Sequence, residues 1–226
     1  MRVRSLGLAV ATALILAACG DHDAAVARLR AVHLSPDAPL VDIYVDDELV
    51  AEDVEYLDQT GYLELTAGAA NVIVTVAGDP AAIVIDADAT LSEDTDYTVL
   101  AANFMEDIEP IILLDANSPP ASGFVQVRIV HGSPSTGLVD VYLTAPGVPL
   151  DEATATLTDV AFGEASNYLE AAAGTYQIRV TPANTLDVAL DSGPVALAAG
   201  QIRTVIAADA DGGGTPLQAL VLADRN

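Results

Sequence analysis

The sixteen residues from Arg30 to Val45 recur, without a gap, from Arg128 to Leu143. Nine aligned positions are identical: Arg30/Arg128, Val32/Val130, His33/His131, Ser35/Ser133, Pro36/Pro134, Leu40/Leu138, Val41/Val139, Asp42/Asp140 and Tyr44/Tyr142. Unrelated windows would share about one or two, so the chain is an internal repeat, and a repeat sets the architecture before any element is assigned. The match continues downstream. Tyr62-Leu63-Glu64 with Gly68 corresponds to Tyr168-Leu169-Glu170 with Gly174. Leu91, Thr98, Val99 and Ala101 correspond to Leu197, Thr204, Val205 and Ala207. The offset is 98 residues in the opening window and 106 afterwards. The second copy therefore carries eight extra residues between Leu143 and Val160, around Ala145-Pro146-Gly147-Val148-Pro149-Leu150-Asp151.

Short runs of Val, Ile, Thr and Tyr alternate with polar residues in both copies, and helical periodicity is missing beyond the N-terminus. Strands are expected near 28–34, 40–45, 61–66, 71–77, 82–86, 96–102 and 110–114, then 124–131, 138–144, 156–161, 167–171, 175–181, 186–191, 201–208 and 217–222. Seven or eight short strands per copy imply an all-β fold: two tandem immunoglobulin-like β-sandwiches. The stretch Leu91 to Tyr97 resembles a tyrosine corner, in which a Tyr hydroxyl ties a turn back to the backbone. Arg203 stands at that position in the second copy.

The N-terminus has a different character. Arg2 and Arg4 precede an uncharged apolar run, Leu6 to Ala18, which is short for a membrane span. It ends Leu16-Ala17-Ala18-Cys19-Gly20, which resembles the bacterial lipobox. The resemblance implies cleavage after Ala18 and lipid attachment at Cys19, the chain's one cysteine. Several acyl chains anchor stably where one would not. By resemblance to the sorting rule of two-membrane bacteria, Gly20 rather than Asp after the cysteine implies export to the outer membrane. The expected organisation is a signal peptide at 1–18, a lipidated tether at 19–27, a first module at 28–114, a Pro-rich linker at 115–123 and a second module at 124–226.

The formal charge is −25, from 33 acidic and 8 basic residues. Such a chain repels nucleic acid and anionic headgroups, so no nucleic-acid partner is expected. With one cysteine, no intrachain disulfide can form, and packing must hold both modules.

The motif Arg30-x-Val32-His33-x-Ser35-Pro36-x-Ala38-Pro39-x-Val41-Asp42-x-Tyr44 closely resembles the opening of domain of unknown function 4397. Tyr62-Leu63 with Ala67-Gly68, and Leu91 with Tyr97-Thr98-Val99, fit the same family. The resemblance covers about 28–114 and again 125–223. It implies exported, lipid-anchored bacterial proteins with immunoglobulin-like sandwiches, and it supplies no established catalytic residues. The second copy departs from the pattern, with Ser135-Thr136-Gly137 in place of Asp37-Ala38-Pro39.

His33, Ser35 and Asp42, with His131, Ser133 and Asp140, are the residue types of a hydrolase triad. No Gly-x-Ser-x-Gly elbow accompanies them, and Pro36 biases Ser35 towards extended backbone. A motif shared by both copies suits a structural corner better than an active site, so no catalytic residue is assigned. Acidic clusters at Asp46-Asp47-Glu48, Asp86-Ala87-Asp88, Glu93-Asp94-Thr95-Asp96 and Asp209-Ala210-Asp211 could take calcium, but none completes an EF-hand. No metal site or cofactor is assigned. The expected protein is a non-enzymatic envelope protein for binding, adhesion or envelope organisation. It touches the membrane through its lipid and meets an unidentified envelope or extracellular partner. The alternatives are a carbohydrate- or calcium-dependent surface module and, less favoured, a His/Ser/Asp hydrolase.

Overall fold

The computed structural model describes residues 25–225. The leader and Cys19 lie outside the described residues. The chain forms two tandem β-sandwiches, each of eight strands in two four-stranded sheets. In the first, β1 (Val26–Leu34), β4 (Leu63–Thr66), β7 (Asp96–Ala102) and β8 (Glu109–Asp115) make one sheet in the order β4-β1-β7-β8. The strands β2 (Val41–Val45), β3 (Glu48–Val54), β5 (Gly68–Val76) and β6 (Asp79–Leu91) make the other, ordered β3-β2-β5-β6.

The second sandwich repeats this plan. Here β9 (Phe124–Gly132), β12 (Leu169–Ala172), β15 (Ile202–Ala208) and β16 (Gln218–Arg225) form β12-β9-β15-β16. Strands β10 (Val139–Thr144), β11 (Leu157–Val160), β13 (Gly174–Pro182) and β14 (Leu190–Leu197) form β11-β10-β13-β14. All pairings are antiparallel except β1 with β7 and β9 with β15. The architecture is immunoglobulin-like, while the strand order differs from the ABED and CFG sheets of antibody constant domains.

The strand β1 begins at Val26, and β8 runs through Asp115, into the Pro-rich stretch. The acidic strand β3 was not among the sequence-based expectations. Glu48, Glu52 and Asp53 mask it, and its pairing with β2 shifts register twice. It is an edge strand, where charged residues discourage pairing with another chain. The strand expected at 82–86 extends to Asp79–Leu91. That expected at 186–191 lies at Leu190–Leu197, bent where Gly193 takes a φ of 62°. The tyrosine corner is present: the Ser92 N–H donates to the Tyr97 hydroxyl at 3.0 Å. In the second copy the Arg203 guanidinium donates to the Ile202 carbonyl. The length difference between copies sits in the hairpin. Asp46 and Asp47 alone join β2 to β3, whereas residues 145–156 join β10 to β11.

The two cores differ. In the second, Val125, Val127, Ile129, Val141, Ile178, Val180 and Val205 belong to one continuous cluster. In the first, the cluster around Leu29, Val72 and Val99 is separate from that around Val41, Ile43 and Val74. A cavity of about 20 Å³ lies against both, lined by Ala31, Ala87, Ala89 and Ala101 among others. Ala31 stands where the second copy has Ile129. The space is of the size of a water molecule and far below a ligand pocket, so it is a packing defect. Ile129→Ala should therefore cost about 2–5 kcal/mol in urea unfolding, while Ala31→Val should raise the unfolding midpoint by filling part of the gap.

Candidate functional site

The repeated His-x-Ser-Pro motif builds a corner. His33 sits at the end of β1 and is fully buried. Its Nδ1 faces the Ser35 N–H at 3.4 Å, and its Nε2 faces the Pro39 carbonyl at 3.1 Å. A carbonyl only accepts, so Nε2 carries the proton and the ring is neutral. Burial pushes the His33 pKa below its usual value, opposed by the Pro39 hydrogen bond. His131 repeats the arrangement, with Ser133 N–H at 3.4 Å and the Gly137 carbonyl at 2.9 Å. Each ring meets an aromatic edge-on: Tyr56 at 6.2 Å from His33, Phe162 at 6.5 Å from His131.

The carboxylates serve the backbone as well. Asp42 accepts from the Asp53 and Gly78 N–H groups, and Asp140 from those of Asp159 and Asn184. Each ties an edge strand and a loop to the sheet. Ser133 Oγ donates to Asp209, not to His131, and Ser35 Oγ is buried without a partner. Asp42 and Asp140 thus hold backbone groups and not the histidines, and neither imidazole accepts a proton from a serine hydroxyl, as general-base activation requires.

Beside these corners the two sandwiches dock face to face. On β1, Leu29 and Ala31 enter the first core, so Arg30 points the other way. Its Nε donates to Thr98 Oγ1 at 2.8 Å, Nη1 to the Ala223 carbonyl at 3.1 Å, and Nη2 pairs with Asp224. Arg128 does the converse. Its Nε reaches Thr204 Oγ1 at 3.0 Å, Nη1 the Leu114 carbonyl at 2.9 Å, and Nη2 pairs with Asp115. Each carboxylate also accepts a threonine and a tyrosine hydroxyl: Thr98 and Tyr62 at Asp115, Thr204 and Tyr168 at Asp224. Each guanidinium lies 4.8 Å from a ring centroid, Arg30 over Tyr62 and Arg128 over Tyr168. Burial drives both tyrosine hydroxyls well above their ordinary pKa, so they remain donors.

Around this network Val32, Leu34, Leu100 and Leu113 pack against Val130, Ile206, Ala208 and Leu222. Gly132 is required there, since a Cβ would lie 2.6 Å from Leu34 and 2.7 Å from Ile206.

At one edge of this interface lies a cleft of about 440 Å³. The corner loop supplies Ala38, Pro39 and Leu40 as one wall. The connection after β3 supplies Glu55, Tyr56 and Leu57, and the second sandwich supplies Asp211 and Gln218. The halves are tied here. The Tyr56 hydroxyl donates to the Asp209 carbonyl at 2.9 Å, and the Gly212 N–H to the Pro36 carbonyl at 2.7 Å. No basic side chain lines the cleft, which therefore repels anions and suits a neutral polar or cationic ligand.

The other sequence candidates do not converge on it. Asn71 bridges Asp86 and Asp88 on β6, and Asp46 caps the Asn71 N–H. Among the described residues no group of three or more His, Cys, Asp and Glu side chains could hold a metal ion. Sequence reasoning passed over the interface network, although Arg30/Arg128, Tyr62/Tyr168 and Thr98/Thr204 are all repeated pairs.

The fold and site define a pair of duplicated β-sandwiches joined by a buried polar seam. The family model for the domain of unknown function (DUF4397) matches residues 27–142 and 147–226, and the chain belongs to that family. No curated protein matches it. Among solved structures it is similar to CBMbc, a family CBM26 module of Amy13K from Eubacterium rectale in complex with maltoheptaose. That likeness has 9% identity, covers 89% of this chain and 98% of that one, and has a TM-score of 0.27. A leucine-rich repeat protein from Bacteroides thetaiotaomicron has 13% identity, 80% and 26% coverage and a TM-score of 0.20. Neither likeness bears on function.

Two outcomes follow from the seam and the corner. Asp224→Ala strands the Arg30 guanidinium, and Asp115→Ala that of Arg128. Each should lower the free energy of unfolding by about 3–5 kcal/mol, measured by urea titration. The pKa of His33 is lower folded than unfolded, so below about 6.5 the unfolded chain binds a proton that the folded chain refuses. Stability should fall as pH drops through that value, and His33→Gln should flatten this part of the profile.

Proposed function

We propose that this is a lipid-anchored protein of the bacterial cell envelope that binds a partner without transforming it, and that the cleft between the sandwiches is its binding site. The observation that carries the reading is that the cleft is made by both halves, with one wall fixed by the corner loop and the other tied across the boundary. His33 fixes Pro39, Tyr56 is pinned to the second half, and both histidine nitrogens are spent on the backbone. A polar ligand with an apolar face, such as a carbohydrate, suits Tyr56, Pro39 and Leu40 set among Glu55, Asp211 and Gln218. The anchor rests on Arg2, Arg4, the apolar run and Leu16-Ala17-Ala18-Cys19-Gly20.

Replacing Cys19 by Ser should move the protein from the membrane to the soluble fraction. Retention in the membrane fraction would defeat the lipid-anchor reading. Calorimetry with a glycan panel, with and without calcium, should give saturable heats that Asp211→Asn and Tyr56→Ala abolish. Hydrolysis of an ester or glycoside substrate that is lost on substitution of His33 and His131 would overturn the non-catalytic reading.

A further inference from the structure

The outer faces of β2 and β10 began as copies and now differ in a way that leaves one open. On β10 and β13 of the second sandwich, Tyr142 and Arg179 stand opposite each other and point away from the core. Both are buried, at 6% and 7% exposure. The long hairpin connection crosses this face, and the Gly147 N–H donates to Gln177 Oε1 at 2.8 Å. The Arg179 guanidinium donates to Thr144 Oγ1. The second sandwich thus fills its own groove with a cation and covers it with its own loop.

In the first sandwich the same register pairs Tyr44 with Ile73. The covering loop is replaced by the turn Asp46–Asp47, where both residues have positive φ, at 49° and 66°. A groove of about 190 Å³ remains, lined by Tyr44, Asp47, Ile73, Thr75, Pro80 and Ile83. Ile83 is 51% exposed, and Leu49, opposite Tyr44 on β3, is 45% exposed. At the floor lies Thr75, 1% exposed, whose Oγ1 has no hydrogen-bond partner, as is also true of its counterpart Thr181 in the second sandwich. Asp47 lines the groove, and no basic residue does.

We propose that this groove binds a cationic side chain, Arg or Lys, from an extended apolar segment of a partner protein. The partner supplies what Arg179 supplies in the second sandwich. Its charge meets Asp47 and the Tyr44 ring, and the flanking apolar residues cover Ile73, Ile83 and Leu49. The overall charge of −25 draws such a segment in and turns anionic ones away. The groove is separate from the cleft of the preceding proposal and stands without it.

The test uses the chain from Gly20 to Asn226 and the fluorescent peptide acetyl-Val-Arg-Val-Arg-Val-amide, followed by anisotropy. A second peptide carries citrulline, which keeps the shape and removes the charge. Saturable binding is expected, weakened at least tenfold by citrulline, by Asp47→Asn, and by Ile73→Arg, which refills the groove as in the second sandwich. Methyl NMR shifts should centre on Ile73 and Ile83. Thermal unfolding of each variant reports whether it folds, and if Ile73→Arg does not, Asp47→Asn decides. Equal binding of the citrulline peptide, no saturable binding, or no loss in Asp47→Asn would overturn the proposal. So would methyl shifts centred elsewhere, or the same methyls responding to maltoheptaose and not to the peptide.

Discussion

Two guanidinium groups, buried where four sheets have become two sandwiches, set the relation on which the rest of the molecule depends. Taking an arginine out of water is costly, and the cost is recovered only when its donors all meet acceptors in good geometry. Arg30 finds a threonine on its own sheet and a carbonyl and carboxylate on the other half. Arg128 finds the mirror set. An apolar contact alone tolerates sliding. This one does not, because any shift leaves charge unpaired in a dry place. The cleft exists because the angle between the halves is held in this way.

Much of this could be read from the chain. The repeat implied two modules, and the alternation implied strands. The His-x-Ser-Pro signature reads as a corner, and both rings are spent on backbone groups. The seam was harder to see for a physical reason. From Leu29 to Leu34 every residue of β1 is buried, because one face meets the core of its own sandwich and the other meets the neighbouring half. A strand buried on both faces loses the alternation that marks an inside and an outside. Arg30 and His33 then look like exceptions in an apolar run. The partner of Arg30 is 194 residues away, beyond any local spacing rule. The acidic strand β3 was obscured by the charges that protect its edge.

Where the copies differ, packing and surface have been freed from the shared plan. Ile129 fills the space that Ala31 leaves empty. Phe162 has no hydroxyl where Tyr56 spans the boundary. Gly132 gives way to Leu34, so one half presses a side chain into the other's backbone. These exchanges break the internal symmetry without touching the arginines, tyrosines, threonines and aspartates that hold the halves. Duplication kept the joint and released the rims.

Arg30 and Asp115 belong to one half, Arg128 and Asp224 to the other. Each half therefore carries both the lock and the key, the mark of a face that complements itself across a twofold axis. In a separate pair of chains such a contact forms only at sufficient protein concentration. Here residues 116–123 tether one face to the other, and closure becomes an event within a single molecule. The paired form then holds however dilute the protein becomes.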